Sequence, residues 1–153
     1  MSGPINIIRT NSGNRDFVEL VKLLDADLAI RDGDAHAFYD QFNKIDNIRY
    51  AVVAYADDKP AGCGAIKEYK QGTMEVKRMY VLPGNRKMGI ASRILTELEK
   101  WAKELSFSKC ILETGKGQPE AIELYKKSGY TLIPNYGQYA GVDNSLCFEK
   151  RFR

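Results

Sequence analysis

Val81-Leu82-Pro83-Gly84-Asn85-Arg86-Lys87-Met88-Gly89-Ile90-Ala91 joins a strand-like run to a long stretch with helical periodicity. Upstream, Thr73 to Val81 reads as a strand. Downstream, Ile90, Ala91, Ile94, Leu95, Leu98, Trp101, Ala102 and Leu105 form one broad apolar face, which predicts a helix from about Lys87 to Leu105. The first amides of such a helix lack internal partners, and its dipole adds partial positive charge there. An anion such as a pyrophosphate binds well in that place. Gly89 removes a side chain where phosphate must approach backbone, and Ala91 keeps the next approach narrow. Arg86 and Lys87 add charge. The Gly-Lys-Ser/Thr ending of a Walker loop is absent, and so is the glycine spacing of a dinucleotide fingerprint. On one glycine and two basic residues alone, a plain strand–loop–helix joint is the better reading, because short glycine motifs match many unrelated loops.

The chain around this joint alternates strand and helix patterns. Ile5 to Arg9 reads as a short strand. Asn14 reads as a helix cap, followed by Phe17, Leu20, Val21, Leu24 and Leu28 at helical spacing. A second short helix is expected over Ala35 to Asn43. Tyr50 to Tyr55 and Ala61 to Tyr69 read as strands around a turn at Asp57-Asp58-Lys59-Pro60. Gln71-Gly72 turns the chain into the strand that leads to the joint. Beyond the long helix, Lys109 to Glu113 is a strand. Pro119 to Ser128 is a helix opened by proline and closed by Gly129, and strands follow near Tyr130 to Ile133 and from Asn144 to Phe152. This order predicts one mixed, α+β domain with helices flanking a sheet, spanning residues 1–153.

The 153 residues suffice for one domain with a sizeable core. The formal charge of +3, from 23 basic and 20 acidic residues, forms no basic stripe, which argues against a nucleic-acid binder. Cys63, Cys110 and Cys147 are odd in number, widely spaced and set among apolar neighbours. They read as buried thiols rather than a disulfide framework or a metal site. The N-terminus lacks the pattern of a signal peptide, and no apolar run is long enough to span a bilayer, so a cytoplasmic location away from membranes is expected.

Two segments together carry a family resemblance. Val81-Leu82-Pro83 followed by Arg86-Lys87-Met88-Gly89-Ile90-Ala91 resembles the Arg/Gln-x-x-Gly-x-Gly/Ala signature of the GNAT superfamily of acetyltransferases. Ala121-Ile122-Glu123-Leu124-Tyr125-Lys126-Lys127-Ser128-Gly129-Tyr130 is similar to that family's second characteristic segment, in the right order and with a strand between. The resemblance implies a mixed, mainly antiparallel sheet splayed between its fourth and fifth strands, with acetyl-CoA in the opening as co-substrate and no metal. It implies backbone pairing of Met79 and Val81 with the pantetheine arm, and amides from Arg86, Lys87, Met88, Gly89, Ile90 and Ala91 on the pyrophosphate. Gln118 stands where many members carry Asn, and offers the same amide on a longer arm. Homodimers are common in the family; the sequence here shows no heptad or apolar stripe that demands one.

The reaction implied is direct attack of a primary amine on the thioester in a ternary complex. Tyr125 matches the family position that protonates the departing sulfur. A phenol with a pKa near 10 holds its proton at neutral pH and can donate it. Tyr125 could instead only pack beside Ala121 and Leu124. Glu75, on the strand leading into the joint, is the candidate base; the alternative is a solvated residue paired with Lys77 or Lys67. A backbone amide, that of Met79, would meet the oxyanion. His36 is the one histidine and a lesser candidate for the base. Asp32 and Asp34 could attract a cationic amine or cap the helix expected near Ala35. Tyr136 and Tyr139, in a polar segment from Pro134 to Ser145, could pack on the acceptor. Cys63 and Cys110 have no activating histidine in view, so no acyl-enzyme is expected. The rival reading is a domain that binds or senses acyl-CoA without turnover.

Overall fold

The computed structural model describes residues 4–33 and 48–152. The elements run β1 Ile5–Thr10, α1 Arg15–Asp32, β2 Tyr50–Ala56, β3 Lys59–Lys70, β4 Thr73–Val81, α2 Ile90–Glu104, β5 Lys109–Gly115, α3 Pro119–Lys127, β6 Thr131–Ile133 and β7 Ser145–Arg151. One seven-stranded sheet has the order β1-β2-β3-β4-β5-β7-β6. β4 and β5 are parallel, and every other pair is antiparallel. The mixed α+β sheet flanked by helices agrees with expectation. The expected helix at 35–43, with Asp34 and His36, lies outside the described residues.

Both faces of the sheet are covered because its central strands are apolar on both sides. In β2, Ala51 and Val53 pack with Phe17, Leu20 and Val21 of α1. Their neighbours Val52 and Ala54 join Ile90, Ile94, Leu95 and Leu98 of α2 in the second core. This is the period-two alternation of a pleated strand used twice over. The Asn14 side chain accepts the Phe17 amide at 2.9 Å and starts α1. The three cysteines are buried in β3, β5 and β7. Burial pushes the thiols of Cys63 and Cys110 up to about 12 and that of Cys147 up to about 11, so none supplies a thiolate at neutral pH.

Two boundaries differ from the sequence reading, for backbone reasons. The β2–β3 turn is confined to Asp57 and Asp58, with φ of 51° and 64°, and Lys59 and Pro60 already belong to β3. Asp tolerates the left-handed region that a tight hairpin demands. Helix α2 begins at Ile90, not Lys87. Lys87 and Gly89 have φ of 67° and 78°, which interrupts a right-handed hydrogen-bond ladder.

Gly62 and Gly64 let α2 approach β3 closely. A Cβ on Gly64 would lie 2.7 Å from Met79 Sδ and 2.8 Å from Ile94 Cγ2. Gly64→Val is therefore expected to cost about 3 kcal/mol through overpacking and to lower Tm by roughly 10 °C. Gly84→Ala, whose Cβ meets nothing within 4 Å, should leave Tm unchanged. Thermal unfolding of the two variants side by side checks the contrast.

Candidate active site

The parallel pairing of β4 with β5 stops after three residues: Thr73 opposite Lys109, Met74 opposite Cys110 and Glu75 opposite Ile111. β4 continues to Val81, while β5 turns its other edge to β7 along its full length. From Val76 onward, the β4 edge toward β5 has no strand beside it among the described residues. The splay expected between the fourth and fifth strands is present. A bulge in β4 accompanies it. Cys63 faces Tyr80 and Ala65 faces Lys77, so three steps on β4 match two on β3. Arg78 takes up the extra length with φ of 61°. Its buried guanidinium reaches Asp25 of α1 at 3.3 Å, and its carbonyl accepts the Cys63 thiol at 3.3 Å.

A cleft of about 90 Å³ occupies the opening. It is lined by Leu24, Leu28 and Asp32 of α1, residues 75–79 of β4 and residues 113–115 of β5, together with Gln118, Tyr125 and Tyr139. The C-terminal turn of α1 is latched over it by Arg31, which reaches Asp27 at 3.0 Å and Glu120 at 2.7 Å.

Tyr125 projects from α3 into this cleft and is 5% exposed. Its ring packs against Tyr130 at 5.9 Å and Phe148 at 6.4 Å. Burial first, then the nearby Glu113 charge, hold its phenol proton above the ordinary range. Tyr125 is thus both packed among aromatic rings and held protonated.

Glu75 is neither fully solvated nor simply paired. It is 8% exposed, accepts a hydrogen bond from the Tyr136 hydroxyl at 2.6 Å and stands 3.8 Å from Lys77 Nζ. Burial pulls the Lys77 ammonium below its usual range, with Glu75 opposing that shift. The Tyr136 hydroxyl is committed to Glu75, and its ring packs edge-on against Tyr69 and Tyr139. Burial and the Glu75 carboxylate hold the Tyr136 phenol protonated. Of the two loop tyrosines, Tyr139 lines the cleft.

Gln118 precedes α3, makes no capping bond with its side chain, and lines the cleft. A Cβ added at Gly115 would lie 3.5 Å from Asn144 Nδ2, 3.6 Å from Asp32 Oδ1 and 3.8 Å from Gln118 Nε2. Asp32 is the last residue of α1 and a wall of the cleft.

Beyond β4, Pro83–Asn85 make one tight turn. Arg86 folds back so that its Nε donates to the Val81 carbonyl at 2.9 Å, with the guanidinium 5.6 Å from the Tyr80 ring centre. Arg86 thus shapes the loop rather than standing free in solvent. Lys87 and Gly89 are exposed, and a Cβ on Gly89 would meet nothing within 4 Å. The left-handed residues at 87 and 89 turn successive amides of a loop that leads directly into the α2 amides, an arrangement that favours an anion.

Sequence reasoning missed three features: the Arg78 bulge, the Tyr136–Glu75 bond and Glu113. Only the last had a signal, a carboxylate directly after the apolar run Cys110-Ile111-Leu112. Burial pushes the Glu113 carboxyl up to about 7, with Asp32 and Glu75 adding to the rise and Ser145 and Lys77 opposing it.

Residues 17–130 match the family model described as the acetyltransferase (GNAT) family. The chain belongs to that family. It is accordingly an enzyme of the N-acetyltransferase class. An IAA acetyltransferase of Azospirillum brasilense is 38% identical over 105 residues, which cover 68% of each protein. Among solved structures, a Klebsiella pneumoniae protein assigned as an acyl-CoA N-acyltransferase superposes with a TM-score of 0.81, at 25% identity over 96% of this chain and 97% of its own. The PaiA N-acetyltransferase of Thermoplasma acidophilum, solved with coenzyme A, shares the fold with a TM-score of 0.72 and 17% identity over 97% of this chain and 99% of its own. No helix among the described residues is long and apolar enough to cross a membrane.

Proposed function

We propose that this GNAT protein, acting as a single N-acetyltransferase domain over residues 1–153, moves an acetyl group from acetyl-CoA to a primary amine by direct attack in a ternary complex. The observation that carries the reading is the parting of β4 from β5 beyond Glu75, which leaves a strand edge beside a cleft that contains Tyr125. The residues fit the co-substrate. Met79 and Val81 lie on the open part of β4, where an extended pantetheine arm can pair with backbone. The Val81 carbonyl already accepts Arg86, which confines the pairing there to its remaining capacity. Arg86, Lys87, Met88, Gly89, Ile90 and Ala91 offer backbone amides at the start of α2 for the pyrophosphate. Gln118 has an uncommitted capping position from which its amide can reach the arm.

Within the cleft, Tyr125 gives its proton to the departing sulfur. The bulge at Arg78 orients the backbone beside Met79, whose amide is the proposed oxyanion donor. Glu75, the base expected from sequence, and Glu113 are the two glutamates that line the cleft, and the reading requires one carboxylate there to accept the amine proton. The three buried, protonated thiols leave no nucleophile for an acyl-enzyme among the cysteines.

Thermal unfolding with acetyl-CoA, CoA, ATP and NAD in excess tests the first half of the proposal, because a ligand that binds the folded state raises Tm. Both CoA species should raise it, and ATP and NAD should not. An amine panel read by thiol release then tests turnover. Binding without any CoA release would leave an acyl-CoA-binding module in place of an enzyme.

A further inference from the structure

We infer that Glu113, rather than Glu75, is the carboxylate that takes the proton from the acceptor amine. The inference rests on the acyl-transfer reading above. Both side chains line the same cleft, one from each of the parted strands. They differ in what they already hold. Glu75 accepts the Tyr136 hydroxyl at 2.6 Å and faces Lys77 at 3.8 Å, so its lone pairs are partly spent. That geometry suits a positioning residue, which ties the Tyr136 and Tyr139 loop to β4. Glu113 is hydrogen-bonded by the Ser145 side chain, but its Oε2 is buried with no hydrogen-bond partner among the described residues. A buried carboxylate oxygen left without a donor is costly, and such a group in a cleft is a candidate for chemistry. A substrate N–H, or one water, is a donor that can satisfy it.

The groups facing Glu113 set its proton affinity. Asp32 of α1 and Glu75 of β4 favour the protonated form, Lys77 of β4 and Ser145 of β7 the charged form. Tyr125, Tyr139 and Cys147 stand in its field and stay protonated. The result is a carboxyl pushed up to about 7 by burial, close to where a general base works best. An alkylammonium gives one proton to Glu113, which releases it to solvent. The freed lone pair forms the C–N bond. The C–S bond breaks with its electron pair on sulfur, which takes the Tyr125 proton. The second nitrogen proton returns to the Tyr125 oxygen. The products are the amide, CoA thiol and one proton.

The test is kcat against pH at saturating acetyl-CoA and amine, for the wild type, Glu113→Gln and Glu75→Gln. The wild type should lose activity as pH falls below about 7. Glu113→Gln should lower kcat by about 10²-fold or more and lose that limb, with the acetyl-CoA-induced rise in Tm intact. Glu75→Gln should keep the limb, moved to lower pH, because a charge that raised Glu113 is gone. Stability supplies a second readout. A carboxyl raised in the folded state stabilises the fold below its unfolded pKa and loses that contribution as pH rises through about 7. Glu113→Gln should thus raise Tm at pH 8 and not at pH 5, the opposite of a residue that merely holds structure. A Glu113→Gln enzyme with wild-type kcat and an intact acidic limb overturns the inference. So does loss of the limb in Glu75→Gln alone. Absence of CoA release by the wild type overturns this inference together with the reading it rests on.

Discussion

Tyr125→Phe is expected to lower kcat by about 10²-fold or more while leaving acetyl-CoA affinity within about twofold. The substitution removes one oxygen and keeps the ring, so the contacts with Tyr130 at 5.9 Å and Phe148 at 6.4 Å survive. The measured loss is then a loss of proton transfer rather than of packing. A phenol held above its ordinary range is a weak acid in water, but the leaving sulfur is not in water. Burial raises the proton affinity of a thiolate in the same direction, as the Cys147 and Cys63 thiols at about 11 and 12 illustrate within this protein. The two affinities rise together, and the proton still has a reason to move. The shift also fixes a pH dependence: Tyr125 stays protonated, and kcat should show no alkaline fall up to about pH 10 from this group. Steady-state kinetics of the variant across pH checks both statements. Unchanged turnover would remove Tyr125 as the acid and leave it a core aromatic of α3.

Features set by local chemistry were legible in the sequence, and features set by partners far along the chain were not. The Asn14 cap, the Pro119 start of α3 and the apolar face of α2 each follow from residues within a turn or two, and each is where the pattern put it. The start of α2 was misplaced by three residues because Lys87 adopts a left-handed backbone that its side chain does not announce. The splay came from motif resemblance, since no period in β4 or β5 says where their pairing ends. Glu75 shows the limit most clearly. Its neighbours in sequence suggested Lys67 or Lys77 as partner, and Lys77 is indeed close, but the short bond comes from Tyr136, sixty-one positions away. Glu113 directly follows the apolar run Cys110-Ile111-Leu112, yet its meaning depends on Asp32, Glu75 and Ser145 converging on it from three other elements.

Gly89→Val is expected to weaken acetyl-CoA binding by at least 100-fold, about 2.7 kcal/mol, while the protein without ligand loses only about 1–3 kcal/mol of stability. Two separate effects act at this position. The backbone has φ of 78°, which glycine adopts freely and a β-branched residue resists. Relief of that strain would rotate the amides that open α2 away from their common direction. The added side chain also enters space that no protein atom fills, since a Cβ there meets nothing within 4 Å. The fold therefore tolerates the bulk, whereas an anion approaching the exposed amides does not. Gly89→Ala separates the contributions: it carries the backbone strain with only one added carbon. It should fall between wild type and Gly89→Val in affinity while matching the latter within about 1 kcal/mol in stability. Titration of acetyl-CoA against Tm for the three proteins gives both quantities from one experiment. If Gly89→Val keeps the ligand-induced rise in Tm, the pyrophosphate does not sit on the turn that leads into α2, and the loop is a strand–helix joint whose glycine serves its backbone alone.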